Sequence, residues 1–219
     1  MMTEIEASDG HRLDCWMVDA EGTRKGGIVL LQEIFGVTDQ LKGIAARYAA
    51  DGYDVAIPAL FDRQEKGAVI PFSDAPRGRD LVLSSDLDTT MRDVEAAVRA
   101  LAARGGKVAV IGFCWGGGLA IRAAQVLDIA AAVSFYGTRL DQYQIAPLKA
   151  PVQGHWGTED SHAPAEMLAA MQAFFPGMEV HTYDGAGHAF ANEARPADHI
   201  EAAAETAHGR ARAFLAAHM

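Results

Sequence analysis

The stretch Lys107–Gln125, KVAVIGFCWGGGLAIRAAQ, decides how the rest of the chain is interpreted. An apolar strand predicted over 107–112 runs directly into Gly112-Phe113-Cys114-Trp115-Gly116, where a helix begins. A nucleophile at such a turn projects from the top of a sheet, and flanking glycines prevent collisions with the strand and helix. The free N–H groups and positive end of the helix dipole favour a thiolate and an oxyanion there. The pattern predicts Cys114 as a nucleophile and the Trp115 N–H as an oxyanion donor.

This segment has two other interpretations. Free cysteine is usually a small buried residue, and glycine-rich turns also bind phosphate. The segment does not read G-x-G-x-x-G, and no Lys-Ser/Thr pair of a phosphate loop follows it. Cys15, the second cysteine, alternates with apolar neighbours in a predicted strand, so we interpret it as structural.

Length and charge restrict the class of protein. The 219 residues fit one domain over 1–219, and the formal net charge of -10 argues against nucleic acid as a partner. No apolar run approaches the roughly 20 residues that span a bilayer. The N-terminal stretch is acidic and lacks the apolar core of a signal peptide. We therefore expect a cytoplasmic, monomeric protein. We expect it to bind small molecules and neither membranes nor nucleic acid.

Short apolar runs alternate with longer amphipathic ones, which predicts an α/β fold with a mostly parallel central sheet and helices on both faces. Strands are predicted over 3–8, 11–18, 27–32, 53–57, 107–112, 130–136, 151–156 and 178–183. Helices are predicted over 38–51, 84–103, 115–126, 163–175 and 196–217. Residues 61–80 show no clear periodicity, and we predict a long irregular loop of the kind that is often functional.

Two later strand ends supply the partners that a nucleophile needs. In α/β-hydrolases the chain order is nucleophile, acid, histidine. Asp160 follows the strand predicted over 151–156, and His188 lies on a glycine-rich loop after the strand over 178–183. Order and placement both fit a triad of Cys114, Asp160 and His188.

Several residues compete for these roles. Glu159 and Asp184 are alternatives for the acid, and the other histidines are alternatives for the base. We expect His155 beneath the site, and we expect His208 at a solvated position on the final helix. His162 and His181 are weaker rivals, because neither lies on a glycine-flanked loop.

The chain resembles the dienelactone hydrolases (carboxymethylenebutenolidases) of the α/β-hydrolase superfamily nearly from end to end. The motifs that carry the resemblance are Gln32-Glu33-Ile34-Phe35-Gly36-Val37, Gly112-Phe113-Cys114-Trp115-Gly116-Gly117, His155-x-Gly157-x-x-Asp160 and Gly185-x-Gly187-His188-x-Phe190. Each follows a predicted strand in the expected order, which makes the combination specific.

The resemblance implies a role for each motif. Cys114, Asp160 and His188 match the family's triad, and Glu33 matches a carboxylate that contacts the thiol and helps to activate it. The N–H of Ile34 would complete the oxyanion hole with that of Trp115. The implied reaction is cysteine-dependent opening of a lactone or enol ester such as dienelactone, in the degradation of aromatic compounds, without metal or cofactor.

Substrate recognition is less well matched. The family holds a substrate carboxylate with two arginines, but Asn192 stands where one is expected, four residues after His188. The other should lie within 61–80, where Arg77 and Arg79 are candidates beside Arg63. Aromatic residues are expected to line an apolar cleft: Phe35, Tyr136 and Phe190.

Two other functions stay open. The chain is alternatively a hydrolase of another small ester, thioester or lactone. In a different class, it is a ligand-binding or thiol redox-sensing protein that uses Cys114 without turnover.

Overall fold

The protein is described by a computed structural model covering residues 1–219, in which eight strands form one sheet. The strands are β1 (Met2–Glu6), β2 (Arg12–Val18), β3 (Gly26–Leu31), β4 (Tyr53–Pro58), β5 (Val108–Phe113), β6 (Ala131–Phe135), β7 (Val152–Gly157) and β8 (Glu179–Tyr183). The helices are α1 (Asp39–Ala50), α2 (Ala75–Leu83), α3 (Leu87–Ala102), α4 (Trp115–Val126), α5 (Ala165–Phe174) and α6 (Glu201–His218). The strand order is β1-β2-β4-β3-β5-β6-β7-β8. The predicted α/β fold with a mostly parallel sheet is confirmed.

The chain divides into two compact units, the N-terminal unit (Met1–Val110) and the C-terminal unit (Ile111–Met219). The single domain over 1–219 therefore stays a prediction. In the N-terminal unit, β1 and β2 form an antiparallel hairpin, and β3 pairs with β4 in parallel. Helix α1 begins where the Thr38 side chain accepts the Leu41 N–H, as the sequence indicates.

The predicted loop over 61–80 is wrong in its second half, because a 3-10 turn over Phe72–Asp74 leads into α2. The Asp74 side chain accepts the Arg77 N–H, and a proline stands in the first turn, so the helix carries ordinary start signals. Gly78 interrupts the helical pattern for a packing reason. A Cβ at Gly78 would lie 2.1 Å from the Ile34 carbonyl oxygen, so only glycine fits there.

In the C-terminal unit, β6, β7 and β8 are parallel, and α6 packs against β6 and β7. Helix α6 begins at Glu201, five residues after the predicted start. Residues 196–200 are not helical. The Ile200 N–H donates to the Phe190 carbonyl at 2.9 Å, a contact outside the helix. The expected solvated His208 is instead buried, with its ring centroid 4.8 Å from that of Phe135.

No helix combines the length and the apolar character needed to cross a lipid bilayer.

Candidate active site

The turn at Cys114 has a strained backbone. Cys114 lies between β5 and α4 with φ 54° and ψ -117°, a left-handed φ that non-glycine residues rarely adopt. Such conformations cost on the order of 1–3 kcal/mol and concentrate at functional sites. A Cβ at Gly112 would lie 1.8 Å from the Gly116 carbonyl oxygen, so the turn closes only around glycine. The structure thus has the strand, sharp turn and helix that a nucleophile elbow requires.

Hydrogen bonds to the β6 end hold this turn from behind. The Cys114 N–H donates to the Phe135 carbonyl at 3.0 Å. The Cys114 carbonyl accepts the N–H groups of Gly117 at 3.0 Å and Thr138 at 3.1 Å. Cys114 as a whole is 8% exposed and lies at the N-terminus of α4. The backbone that carries the sulfur is therefore fixed by contacts that the side chain does not share.

Asp160 and His188, 28 positions apart, form a direct hydrogen bond. The His188 Nδ1–H donates to Asp160 Oδ2 at 2.9 Å, and the carboxylate is fully buried at its side chain. The second oxygen, Oδ1, accepts the His162 N–H at 2.8 Å. The side chain of Cys114 lies close enough to His188 to raise the pKa of its imidazole. The C-terminal unit thus brings together a thiol, an imidazole and a carboxylate in the arrangement of a catalytic triad.

The two loops that carry Asp160 and His188 are tied to each other. The Glu159 N–H donates to the Ala186 carbonyl at 2.9 Å, and the Gly185 N–H donates to Thr158 Oγ1 at 2.9 Å. A Cβ at Gly157 would lie 1.9 Å from the Ala186 carbonyl oxygen. This close approach lets adjacent strands present the acid and the base at hydrogen-bonding distance.

The surroundings of His188 favour its charged form. Burial alone lowers the pKa of an imidazole, but the hydrogen bonds to Asp160 and Cys114 outweigh it and raise the pKa of His188 to about 10. His188 is therefore protonated near neutral pH, and its positive charge lies beside the sulfur. An adjacent imidazolium stabilises a thiolate, which is the reactive form of cysteine.

Four rival residues differ from Asp160 and His188 in their exposure or in their partners. Glu159 and Asp184 are exposed, whereas the buried Asp160 contacts His188. His181 lies near Glu179 with an Nε2–Oε2 distance of 3.7 Å. His155 is fully buried inside β7, as expected.

Glu33, Ile34 and Phe35 belong to the N-terminal unit and follow β3. Glu33 and Phe35 are buried and line a small cleft with Thr38 and Phe72. The roles of Glu33 at the thiol and of the Ile34 N–H in the oxyanion hole stay predictions.

The arginine candidates differ in their surroundings. The Arg77 guanidinium forms an ion pair with Glu65 and is about half exposed, and Arg79 is exposed on α2. Arg63 binds both carboxylate oxygens of the buried Asp93 at 2.7 Å. Arg63 is thus held by a structural ion pair, while Arg77 and Arg79 remain candidates.

Three further predicted contact residues are fully buried. The Tyr136 ring meets His188 edge-on with centroids 5.3 Å apart, and Phe190 lies 4.9 Å from the Tyr183 ring. Asn192 Oδ1 accepts the Ala194 N–H at 3.0 Å. Tyr136 thus packs directly on the proposed base, and the substrate contacts of all three stay predictions.

The sequence indicates His162 only as a rival base, whereas the structure places its ring against that of His188. Its ring centroid lies 4.6 Å from that of His188 at an interplanar angle of 61°. The signal in the sequence is its position two residues after Asp160, where its backbone N–H reaches the carboxylate.

Comparison with known proteins identifies related chains. The profile of the dienelactone hydrolase family matches residues 13–219. A carboxymethylenebutenolidase from Pseudomonas putida is 30% identical over 230 residues, which cover 99% of this chain and 97% of the relative. A putative carboxymethylenebutenolidase from Yersinia pestis is 33% identical over 195 residues, covering 80% and 72%.

Solved structures show the same fold. That of a putative dienelactone hydrolase from Klebsiella pneumoniae subsp. pneumoniae has a TM-score of 0.85 and 25% identity, covering 99% of this chain and 98% of its own. A dienelactone hydrolase-like promiscuous phosphotriesterase from metagenomic libraries has a TM-score of 0.81, with 100% and 98% coverage, and its 20% identity supports the fold alone. This chain belongs to the dienelactone hydrolase family and is a hydrolase that acts on ester bonds.

Proposed function

We propose that the chain opens a small lactone or enol ester, of which dienelactone is the first candidate, through a Cys114-His188-Asp160 triad. The observation that carries the proposal is the linked contact of His188 with Asp160 and Cys114 at a strained strand-to-helix turn. Membership in the family supports the ester-cleaving reaction, and the relatives named carboxymethylenebutenolidase support a lactone substrate.

The first half of the reaction starts from a Cys114 thiolate paired with the His188 imidazolium. The sulfur attacks the carbonyl carbon and forms the C–S bond, while the carbonyl electrons move to oxygen. The N–H groups of Trp115 and Ile34 stabilise that oxyanion. The intermediate then collapses to a thioester, the ring C–O bond breaks, and the imidazolium proton passes to the departing oxygen.

The second half hydrolyses the thioester. His188, now neutral, accepts a proton from water as the water oxygen attacks the thioester carbon. Collapse of this intermediate breaks the C–S bond and releases the carboxylic acid. The thiolate and the imidazolium are then restored. Asp160 keeps the imidazole in the tautomer that both halves require and stabilises its charge.

Recognition of a charged substrate would depend on residues outside the triad. Arg77 or Arg79 would bind a substrate carboxylate, whereas Asn192 carries no charge to do so. Glu33 would accept the thiol proton in any state in which the sulfur is protonated. The proposed chemistry uses only water and these side chains, so we propose that the reaction needs no metal or cofactor. We propose that the substrate is small and either anionic or neutral, and that the protein acts as a monomer.

The test compares wild-type protein with Cys114→Ser on cis- or trans-dienelactone and on a neutral aryl ester. Opening of the lactone is followed as the loss of absorbance of its conjugated chromophore. Rapid lactone turnover that collapses in the variant supports both the triad and the substrate. Turnover of the aryl ester alone supports the triad and rejects dienelactone.

A third result would contradict catalysis. If neither substrate is turned over while Cys114 oxidises reversibly, the thiol-sensing alternative replaces the triad. Lactone turnover that survives in Cys114→Ser at the wild-type rate also rejects Cys114 as the nucleophile. Thermal unfolding of both proteins ensures that a loss of turnover is not a loss of fold.

A further inference from the structure

We infer that the His162 ring is a positioning element that holds the His188 imidazole in line with Asp160 and Cys114. This inference rests on the proposed function, because it assigns His162 to the same reaction without contact to the reacting atoms. His162 is therefore a positioning residue and not a catalytic one.

The orientation of the His188 ring depends on contacts of its own side chain. The backbone on either side is left-handed, with φ 68° at Gly185 and φ 63° at Ala189. Asp160 binds Nδ1, and Cys114 contacts the ring as well, which together set the direction of the ring but leave rotation about that line. A base that must face both sulfur and water needs further contacts to define the ring plane.

Two rings supply these contacts within the C-terminal unit. Tyr136 is fully buried and meets His188 at an interplanar angle of 74°. His162 is exposed and meets it at 61°, with the shorter centroid distance of 4.6 Å. Edge-to-face contact at this distance is an attractive geometry for aromatic rings. His162 thus restrains His188 from a side that solvent reaches, where outward rotation would otherwise be free.

The position of His162 is set by the catalytic acid itself. Its backbone N–H donates to Asp160 Oδ1, while Oδ2 accepts from His188. One carboxylate therefore orients the base directly and also places the ring that covers it. Any substitution of His162 other than proline keeps the N–H, so side-chain variants remove the ring contact and spare the acid.

The experiment compares His162→Ala with His162→Phe, and Ser161→Ala serves as the control in the same turn. We expect His162→Ala to lower kcat about 10-fold to 100-fold with KM within about twofold, since misplacing a catalytic group costs rates of this order. His162→Phe keeps an aromatic edge and should stay within about threefold of wild type. Ser161→Ala should match wild type.

A second readout separates positioning from folding. The rate of Cys114 alkylation by iodoacetamide is followed against pH, because it reports the thiolate that His188 stabilises. In His162→Ala the rise of this rate should move to higher pH, while His162→Phe should keep the wild-type profile. Thermal unfolding confirms that each variant is folded at the assay temperature.

Three results would overturn the inference. One is a wild-type kcat and alkylation profile in His162→Ala. Another is a His162→Phe variant as defective as His162→Ala, which would assign the effect to the imidazole nitrogens and not to the ring contact. The third is a fall in kcat with no change in the alkylation profile. Turnover that survives in Cys114→Ser would instead reject the proposed function.

Discussion

His155 is fully buried and the His188 side chain is 17% exposed. The surroundings of these two histidines of the C-terminal unit shift their pKa values in opposite directions. His155 lies inside β7, where its Nδ1 meets the Tyr183 hydroxyl at 2.8 Å and its Nε2 meets Gln153 Oε1 at 3.0 Å. Burial lowers the pKa of His155 well below 6.5. The pKa of His188 rises to about 10, because Asp160 and Cys114 outweigh the same penalty.

The two cysteines show the same contrast. Cys15 is fully buried in β2, and burial raises the pKa of its thiol to about 12. Cys114 is nearly as buried but lies at a helix N-terminus beside a protonated imidazole. Burial by itself therefore yields neutral, inert groups in this protein. Reactivity requires a partner charge at hydrogen-bonding distance, and this difference can be tested in both pairs.

The largest effect is expected from removing the Asp160 charge, which His188 has as a partner and His155 does not. Asp160→Asn should lower kcat on the order of 10³-fold to 10⁴-fold, because an amide neither stabilises the imidazolium nor enforces its tautomer. Steady-state kinetics measure this loss. The pKa of His188, followed by NMR, should fall from about 10 in the same variant.

Glu159→Gln and Asp184→Asn are the matched controls, since both carboxylates are exposed near the same loops. Each should retain kcat within about threefold of wild type. A variant of either that loses as much activity as Asp160→Asn would move the acid role away from Asp160.

The next effect concerns the two thiols within one molecule. Native protein treated with iodoacetamide at pH 7 should modify Cys114 at least about 10³-fold faster than Cys15, since only the thiolate reacts. Peptide mapping by mass spectrometry gives both rates in a single sample. Denatured protein is the control, and there the rates should converge. Comparable native rates would mean that the environment of Cys114 does not activate it.

A smaller effect is expected from substitution of Cys15, because the state of its thiol depends on burial alone. Cys15→Ser should lower the free energy of unfolding by about 1–3 kcal/mol, because the hydroxyl enters an apolar site. Urea denaturation measures the change, and Cys15→Ala separates the polar effect from the loss of volume. Activity should not change in either variant. A loss of kcat with intact stability would contradict a purely structural role.

The smallest effect is the pH dependence due to His155. Its pKa in the folded protein is below its unfolded value, so its contribution to stability is complete above pH 6.5 and declines as the pH falls. Between pH 7 and pH 5.5 this amounts to about 1 kcal/mol. His181 acts in the same direction, because burial and the nearby Arg210 lower its pKa.

The comparison of wild type with His155→Gln isolates that contribution, since other groups titrate in both proteins. Urea denaturation at the two pH values should show the weaker dependence in the variant. Equal dependence would mean that His155 has the same pKa in the folded and the unfolded protein.

Local sequence was sufficient for the elbow and for most elements. The strand, turn and helix around Cys114 depend on adjacent residues, so their signals lie together in the chain. Most of the other strands and helices follow from hydrophobic periodicity and were placed within a few residues. Helix α2 was missed because Gly78 weakens the helical pattern, and the contact that requires it is with Ile34, far away in sequence.

The sequence by itself determined a parallel α/β fold with a nucleophile elbow and a short set of candidate acids and bases. The family resemblance favoured Asp160, but the local signals of Asp160, Glu159 and Asp184 are the same, and the tertiary structure shows that Asp160 meets His188. It also decided that His208 is buried and that His162 covers His188. The physical reason is that the burial of a side chain and the charge around it depend on neighbours from several separate strands. No single segment of the sequence contains all of those neighbours.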